Sequence, residues 1–244
     1  MGEIQSCFKR YEKKYLLTGE QYEAMRAGMA AHTVPDVYGC YSIGNVYYDT
    51  PDYRLIRASL EKPAYKEKLR VRSYGVPSDG DNVFIEIKKK YDGVVYKRRI
   101  VMEAQQAALY LHGVRGGDGS QISREIDWFL RLYKPSPRVY IAYDREAYAG
   151  REDGELRVTF DTGLRARSTD VDLRLGDHGV PLLENGLTLM ELKIPGAAPL
   201  WLARLLSENR IFSTSFSKYG AYYKRYVLGG ASAAVAREAA ALSA

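Results

Sequence analysis

Charged and apolar side chains alternate along residues 65–74, 82–91 and 94–103, which predicts three strands with unlike faces. The last two flank Asp92-Gly93, a two-residue hairpin signal. Residues 8–17, 41–49, 137–149, 154–168 and 187–194 are predicted strands as well. The pair 137–149 and 154–168 forms a second hairpin turning at 150–154, and Pro195 ends the last strand. Thr18 and Gln21 make a capping box for a helix reaching to about Ala31. Further helices are predicted at 50–60, 104–111, 121–133, 198–208 and 217–227. Trp128, Phe129, Leu130 and Leu132 mark a helix packed on the outside of the sheet, and Trp201, Leu202, Leu205 and Leu206 a core-facing one. No repeat or long linker interrupts residues 1–228, which read as one domain. The Ala-rich stretch 229–244 lacks large apolar anchors and reads as a flexible tail.

The strand registers gather basic residues on single faces. Lys66, Lys68, Arg70 and Arg72 share one face of 65–74; Phe84, Glu86, Lys88 and Lys90 share one face of 82–91. Lys97 and Arg99 lie on one face of 94–103, and Tyr143 with Arg145 on one face of 137–149. Arg157, Thr159, Asp161, Arg165 and Arg167 fall on one register of 154–168, and Glu191 and Lys193 share a face of 187–194. A single such strand describes an ordinary sheet with one wet face. So many together predict a sheet curled with its charged faces inward and its apolar faces against outer helices. Such a cationic lumen repels itself unless an anion fills it, and Arg and Lys both suit phosphate. The few acids among them, Glu86, Asp161 and Glu191, are oxygen donors of the kind that hold Mg²⁺ or Mn²⁺ beside phosphates.

Composition narrows the classes. Thirty-six Lys and Arg against 30 Asp and Glu leave a net charge of +6, weak by itself as a sign of an anionic partner. His32, His112 and His178 are scattered, which argues against a His-rich metal centre or a Ser-His-Asp triad. Two cysteines in 244 residues fit a reduced cytoplasmic protein, and no run approaches 18 apolar residues, so no membrane segment is expected. Residues 113–120 are Gly-rich but follow a helix, which reads as a loop and not a phosphate cradle. Twenty-one tyrosines against six phenylalanines suit half-buried strands and wet cavities. Tyrosines and basic strands also suit single-stranded nucleic acid, but no nucleic-acid motif is present, and no such partner is expected.

Nine segments stand in the order found in the VTC domains: KKYLL (13–17), YYDT (47–50), KLRVRSYG (68–75), FIEIKKK (84–90), VYKRR (95–99), AYDREAY (142–148), LRVTFDT (156–162), MELK (190–193) and FSKY (216–219). The chain resembles these polyphosphate polymerase catalytic domains, part of the triphosphate tunnel metalloenzymes or CYTH-like group, over about residues 7–226. The resemblance implies an α+β fold, an eight-stranded antiparallel β-barrel with helices packed outside. It implies a divalent metal, Mn²⁺ or Mg²⁺, and transfer of the ATP γ-phosphoryl group to a growing polyphosphate chain. Hydrolysis of inorganic or nucleoside triphosphate is the alternative, and a non-catalytic polyanion-binding module a third reading. By the resemblance, Lys14, Arg70, Arg72, Lys88, Lys97, Arg145 and Lys193 are catalytic. Lys68, Arg99, Arg157 and Lys218 bind substrate phosphate, and Glu191, Glu86 and Asp161 hold the metal. Where the wider group carries E-x-E-x-K on its first strand, this chain has Arg10, Glu12 and Lys14, as in the polymerase branch; Ser215 replaces a lysine of the fungal polymerase. The oligomeric state is left open.

Overall fold

The structure, a computed structural model, describes residues 11–92, 94–184 and 186–230. In chain order the elements are β1 (Tyr11–Leu17), α1 (Gly19–Met29), β2 (Thr33–Asp49), α2 (Arg54–Leu60), β3 (Tyr65–Tyr74), β4 (Asn82–Tyr91), β5 (Val94–Glu103), α3 (Ala104–Leu111) and α4 (Gln121–Tyr133). Then come β6 (Ser136–Gly150), β7 (Arg157–Arg167), β8 (Val180–Pro181), β9 (Thr188–Ile194), α5 (Leu200–Glu208), α6 (Lys218–Tyr222) and a π-helical turn at Tyr223–Leu228. Residues 8–10 of the first predicted strand, Gly93 of the hairpin turn and most of the Ala-rich tail lie outside the described residues.

Local chemistry explains the boundaries. Gln21 N donates to Thr18 Oγ1 at 3.2 Å and Thr18 N to Gln21 Oε1 at 3.1 Å, the reciprocal cap that starts α1. Tyr91 pairs with Val94 across the predicted hairpin, with Asp92 at φ 43°. β2 starts eight residues before its predicted beginning, because Thr33–Pro35 pairs with β6 before the chain bulges out at 36–39. Gly39 belongs to that bulge and has φ 61°.

Eight strands lie side by side in the order β1-β9-β7-β6-β2-β3-β4-β5, all antiparallel, with two-residue β8 added to β7. The sheet is not closed: no ladder joins β1 to β5 among the described residues. It curls until side chains span the gap, with Glu12 of β1 3.8 Å from Lys88 of β4. The closed barrel expected from sequence is therefore an open, curled sheet in the described strands.

Two apolar clusters cover the convex side. Leu69, Val71, Ile85 and Ile87 pack against Tyr110 of α3 and Ile126 and Phe129 of α4. Leu17, Met190 and Leu192 pack against Met25 and Met29 of α1 and Leu202 of α5. Phe129 is the buried residue of the predicted outer stripe, whereas Trp128 and Leu132 are each half exposed, because α4 presents only one face to the sheet. A third cluster lies on the concave side, where Ile43, Tyr47, Val139, Ile141 and Leu189 meet Tyr219, Tyr222 and Tyr223. The helices are thus not all outside: α6 fills one end of the concavity.

A bulge breaks the register of β7. Asp144 pairs with Thr162 but Ala142 with Arg165, so Gly163 and Leu164 together oppose Tyr143, with Gly163 at φ 56°. The extra residue turns Arg165 and Arg167 away from the concave face on which the alternation of 154–168 puts them. Arg165 instead pairs with Asp144 and Asp177. Arg167 donates to the carbonyls of Asp170, Asp172 and His178 and lies 3.7 Å over the Tyr140 ring. Both arginines fasten the 168–180 segment to the sheet.

Candidate functional site in the basic lumen

The concave faces bring together what the strand registers suggested. β3 contributes Lys66, Lys68, Arg70 and Arg72, and β4 contributes Glu86, Lys88 and Lys90. Lys68 is paired directly with Lys88, and Lys66 with Lys90. Like charges opposite one another on neighbouring strands oppose pairing, so these rows weaken the sheet they belong to. β5 adds Lys97 and Arg99, opposite Lys88 and Glu86. On the far wall Lys14 pairs with Glu191, and Arg157 with Lys193.

The carboxylates are tied to particular cations. Asp161 accepts two hydrogen bonds from Arg145, at 2.5 and 2.7 Å, and a third from Lys218 at 2.6 Å. Lys218, from the first turn of α6, is buried; its Nζ also donates to Glu191 at 3.2 Å and lies 4.3 Å over the Tyr143 ring. Glu191 is further contacted by Lys14 at 3.5 Å and Arg145 at 3.6 Å. Glu86 is held by Arg70 Nε and Nη2, both at 2.7 Å. Lys97 Nζ lies 2.6 Å from the other oxygen of Glu86, an ion pair outside hydrogen-bond geometry. Glu12 contacts Lys14 at 3.2 Å and Lys88 at 3.8 Å. Arg72 donates to Asn45 at 3.1 Å and Arg70 to the Tyr47 hydroxyl at 3.2 Å, so neighbouring side chains fix both guanidinium groups.

The balance of charge shows in the titration behaviour. Burial, reinforced by Lys66, Lys88, Lys14 and Arg70, pushes the Lys68 amine down to about 7. Burial lowers Lys97 to about 8 although Glu86 opposes it. It also lowers Lys88 and Lys193, against the pull of Glu12 and Glu191. The acids behave oppositely. Burial would raise Glu191, but Lys218, Lys14 and Arg145 outweigh it and hold the carboxyl well below its usual range. Arg70, Arg72 and Lys97 do the same to Glu86. The lumen therefore holds ionised carboxylates that are already neutralised and an excess of cations, with Lys68 hemmed in by Lys66, Lys88, Lys14 and Arg70.

Of the residues expected to line the site, Lys14, Lys68, Arg70, Arg72, Lys88, Lys97, Arg145, Lys193 and Lys218 converge on the concavity. Arg99 lies 4.8 Å from the centre of the Phe84 ring nearer one mouth, and Arg157 is exposed on the opposite wall. The three expected metal ligands do not gather: among the described residues no three His, Cys, Asp or Glu side chains form a common metal-binding group. Asp161 and Glu86 have both oxygens occupied by cations. Glu12 is the residue that sequence reasoning did not assign to the site. It and Glu191 flank Lys14 from adjacent strands, each within 3.5 Å of its ammonium. Two carboxylates around one ammonium are oxygen donors of the kind that could share a hard cation, whose remaining ligands would come from phosphate and water. The signal was the shared parity of Glu12 and Lys14 on β1.

The chain is similar to several known proteins. The vacuolar transporter chaperone complex subunit 4 of Trypanosoma cruzi is 26% identical over 217 residues, covering 72% of this chain and 27% of the relative. The Schizosaccharomyces pombe protein of the same name is 25% identical over 160 residues, covering 56% of this chain and 22% of the relative. The chain thus spans about a quarter of the length of the curated relatives it matches. A candidate adenylate cyclase from Bacillus halodurans has the same fold at 12% identity, with a TM-score of 0.54 over 87% of this chain and 96% of that one. So has a candidate adenylyl cyclase from Hippeastrum, described as revealing a dominant triphosphatase activity, at 15% identity and a TM-score of 0.52 over 87% and 94%. The VTC domain family matches residues 9–227, nearly the whole chain, and with the ordered strand motifs and the basic lumen this makes the protein a member of the VTC domain family.

Proposed function

We propose that this domain catalyses metal-dependent phosphoryl transfer in its lumen, making polyphosphate from ATP and releasing ADP, with residues 1–228 as the working unit. The observation that carries the reading is the row of like charges on one wall: Lys68, pushed down to about 7 by burial and by its cationic neighbours, stands directly opposite Lys88, which reaches Glu12 only at 3.8 Å, and Lys66 stands opposite Lys90. A polyanion restores the charge that burial removes. The subunit 4 relatives are components of a vacuolar transporter chaperone complex by name, which agrees with a polyphosphate-related substrate.

Arg70 and Arg72, braced by Glu86, Tyr47 and Asn45, present fixed guanidinium groups to phosphoryl oxygens. Lys88, Lys97 and Lys193 act as point charges along the same path, and Lys68 and Arg99 extend it. Arg145 and Lys218, fastened to Asp161 and Glu191, hold the far wall in place. Glu191 and Glu12 would hold the divalent cation, Mn²⁺ or Mg²⁺, which would supply positive charge to offset that developing on the phosphoryl group. An acceptor phosphate is already ionised, so the site needs no general base; alignment and preorganised positive charge supply the catalysis.

The test is purified protein incubated with ATP and Mn²⁺, followed by gel analysis for chains and an assay for ADP. Chains together with ADP are expected. Orthophosphate without chains would transfer the assignment to triphosphate hydrolysis on the same residues, and no product with any divalent metal or primer would reduce the protein to a polyanion binder. Glu191→Gln separates enzyme from binder: turnover should fall at least a hundredfold while tripolyphosphate still binds.

A further inference from the structure

One mouth of the lumen is built differently from the rest. Tyr41, Tyr74 and Phe84 sit on the concave faces of β2, β3 and β4, and Tyr38 of the 36–39 bulge meets Tyr41 edge-on. Their rings contact in sequence: Tyr38 to Tyr41 at 6.2 Å, Tyr41 to Tyr74 at 5.8 Å, Tyr74 to Phe84 at 5.6 Å. Arg99 completes the row 4.8 Å over Phe84. Rings that only fill space are buried, as the tyrosines around α6 are. Here Tyr38 is 75% exposed and Tyr74 51% exposed. An exposed aromatic run at the edge of a cationic groove is the arrangement on which bases stack.

The spacing to the phosphate groups is suitable. Tyr74 follows Arg72 by two residues on the same face of β3, and Arg70 precedes Arg72 by two more. At about 3.3 Å per residue, these side chains stand roughly 7 Å apart along the strand. A ring stacked at Tyr74 therefore has its sugar and first phosphate at the level of Arg72 and later phosphates at Arg70 and beyond. Phe84, directly opposite Arg72 on β4, fixes the same level on the neighbouring strand.

We propose that this rim is the stacking site for the base of a nucleoside triphosphate whose phosphates enter the lumen. The proposal rests on the reading of the lumen as a phosphate site and adds which mouth takes the nucleoside. Stacking without a base-reading network makes the site tolerant: adenine and guanine bind alike, and pyrimidines, with smaller rings, bind more weakly.

Calorimetry on the full chain with Mn²⁺ tests this with two non-hydrolysable ligands, β,γ-imido-ATP and diimidotriphosphate. Tyr74→Ala should weaken the nucleotide analogue roughly tenfold and change the inorganic ligand less than twofold. Tyr74→Trp should restore nucleotide binding, which separates loss of stacking from damage to the fold. Equal weakening of both ligands, or an unchanged nucleotide affinity, overturns the rim site while leaving the phosphate lumen standing. Failure of the unaltered protein to bind either ligand overturns both.

Discussion

Lys68 shows how one residue links charge, burial and ligand. Its amine falls from 10.5 to about 7 because it is buried among Lys66, Lys88, Lys14 and Arg70. Between those two values the unfolded chain binds more protons than the folded one, so in that window the stability of the ligand-free protein rises with pH. Below pH 7 the ammonium is charged in both states and its burial penalty is present in full. Lys68→Met should therefore raise Tm most at pH 6, with the gain shrinking towards pH 9, as thermal melts across that range would show; a gain independent of pH would refute the assignment. Phosphate binding has the opposite slope. It needs the ammonium, so tripolyphosphate affinity should decline from pH 6 to pH 9, and decline less in the variant.

Elements are held in place by a few polar hubs. Asp49, fully buried at the end of β2, accepts hydrogen bonds from Thr50 N at 2.8 Å, Leu55 N at 2.9 Å and Ile56 N at 3.0 Å, and from the Tyr219 hydroxyl at 2.9 Å. One carboxylate thus caps the start of α2 and docks α6 against the sheet. Asp49→Ala leaves those buried donors without a partner and should cost about 3 kcal/mol, read from urea unfolding. Gly163 does comparable work in β7. An added Cβ would meet Asp144 Oδ2 at 2.9 Å and force a side chain into left-handed backbone. Gly163→Ala should cost about 1–2 kcal/mol and loosen the Arg165 clasp on Asp177, visible as faster amide exchange in the 168–180 segment.

At the scale of the molecule, the lumen is an electrostatic device whose stability waits on its ligand. Tripolyphosphate at a hundred times its Kd should stabilise the fold by about 2.7 kcal/mol, measurable as a rise in Tm of several degrees. Because exposed parts of the lumen are screened by salt, the rise should shrink between 50 mM and 500 mM NaCl. A neutral solute at the same concentration should give no rise.

Much of the architecture could be read from the chain alone because it is set by local periodicity. β3, β4, β5, α3 and α4 begin and end where alternation, helical spacing and the Asp92 turn put them. The parity of Lys68, Arg70 and Arg72 on β3 and of Glu86 and Lys88 on β4 follows from the same two-residue repeat, so the cationic face was legible. What parity cannot foresee is a break in the ladder or a contact between distant segments. The Gly163 bulge reversed Arg165 and Arg167. The curl of the sheet, and not any spacing in sequence, brought Glu12 to Lys88 and placed Lys218, 57 residues along the chain from Asp161, onto that carboxylate. The sequence by itself determined which faces of the unbroken strands are charged, because that depends only on neighbours two residues apart. Only the tertiary structure decided which of those charges neutralise one another and which remain for a ligand, because that depends on distances across the lumen.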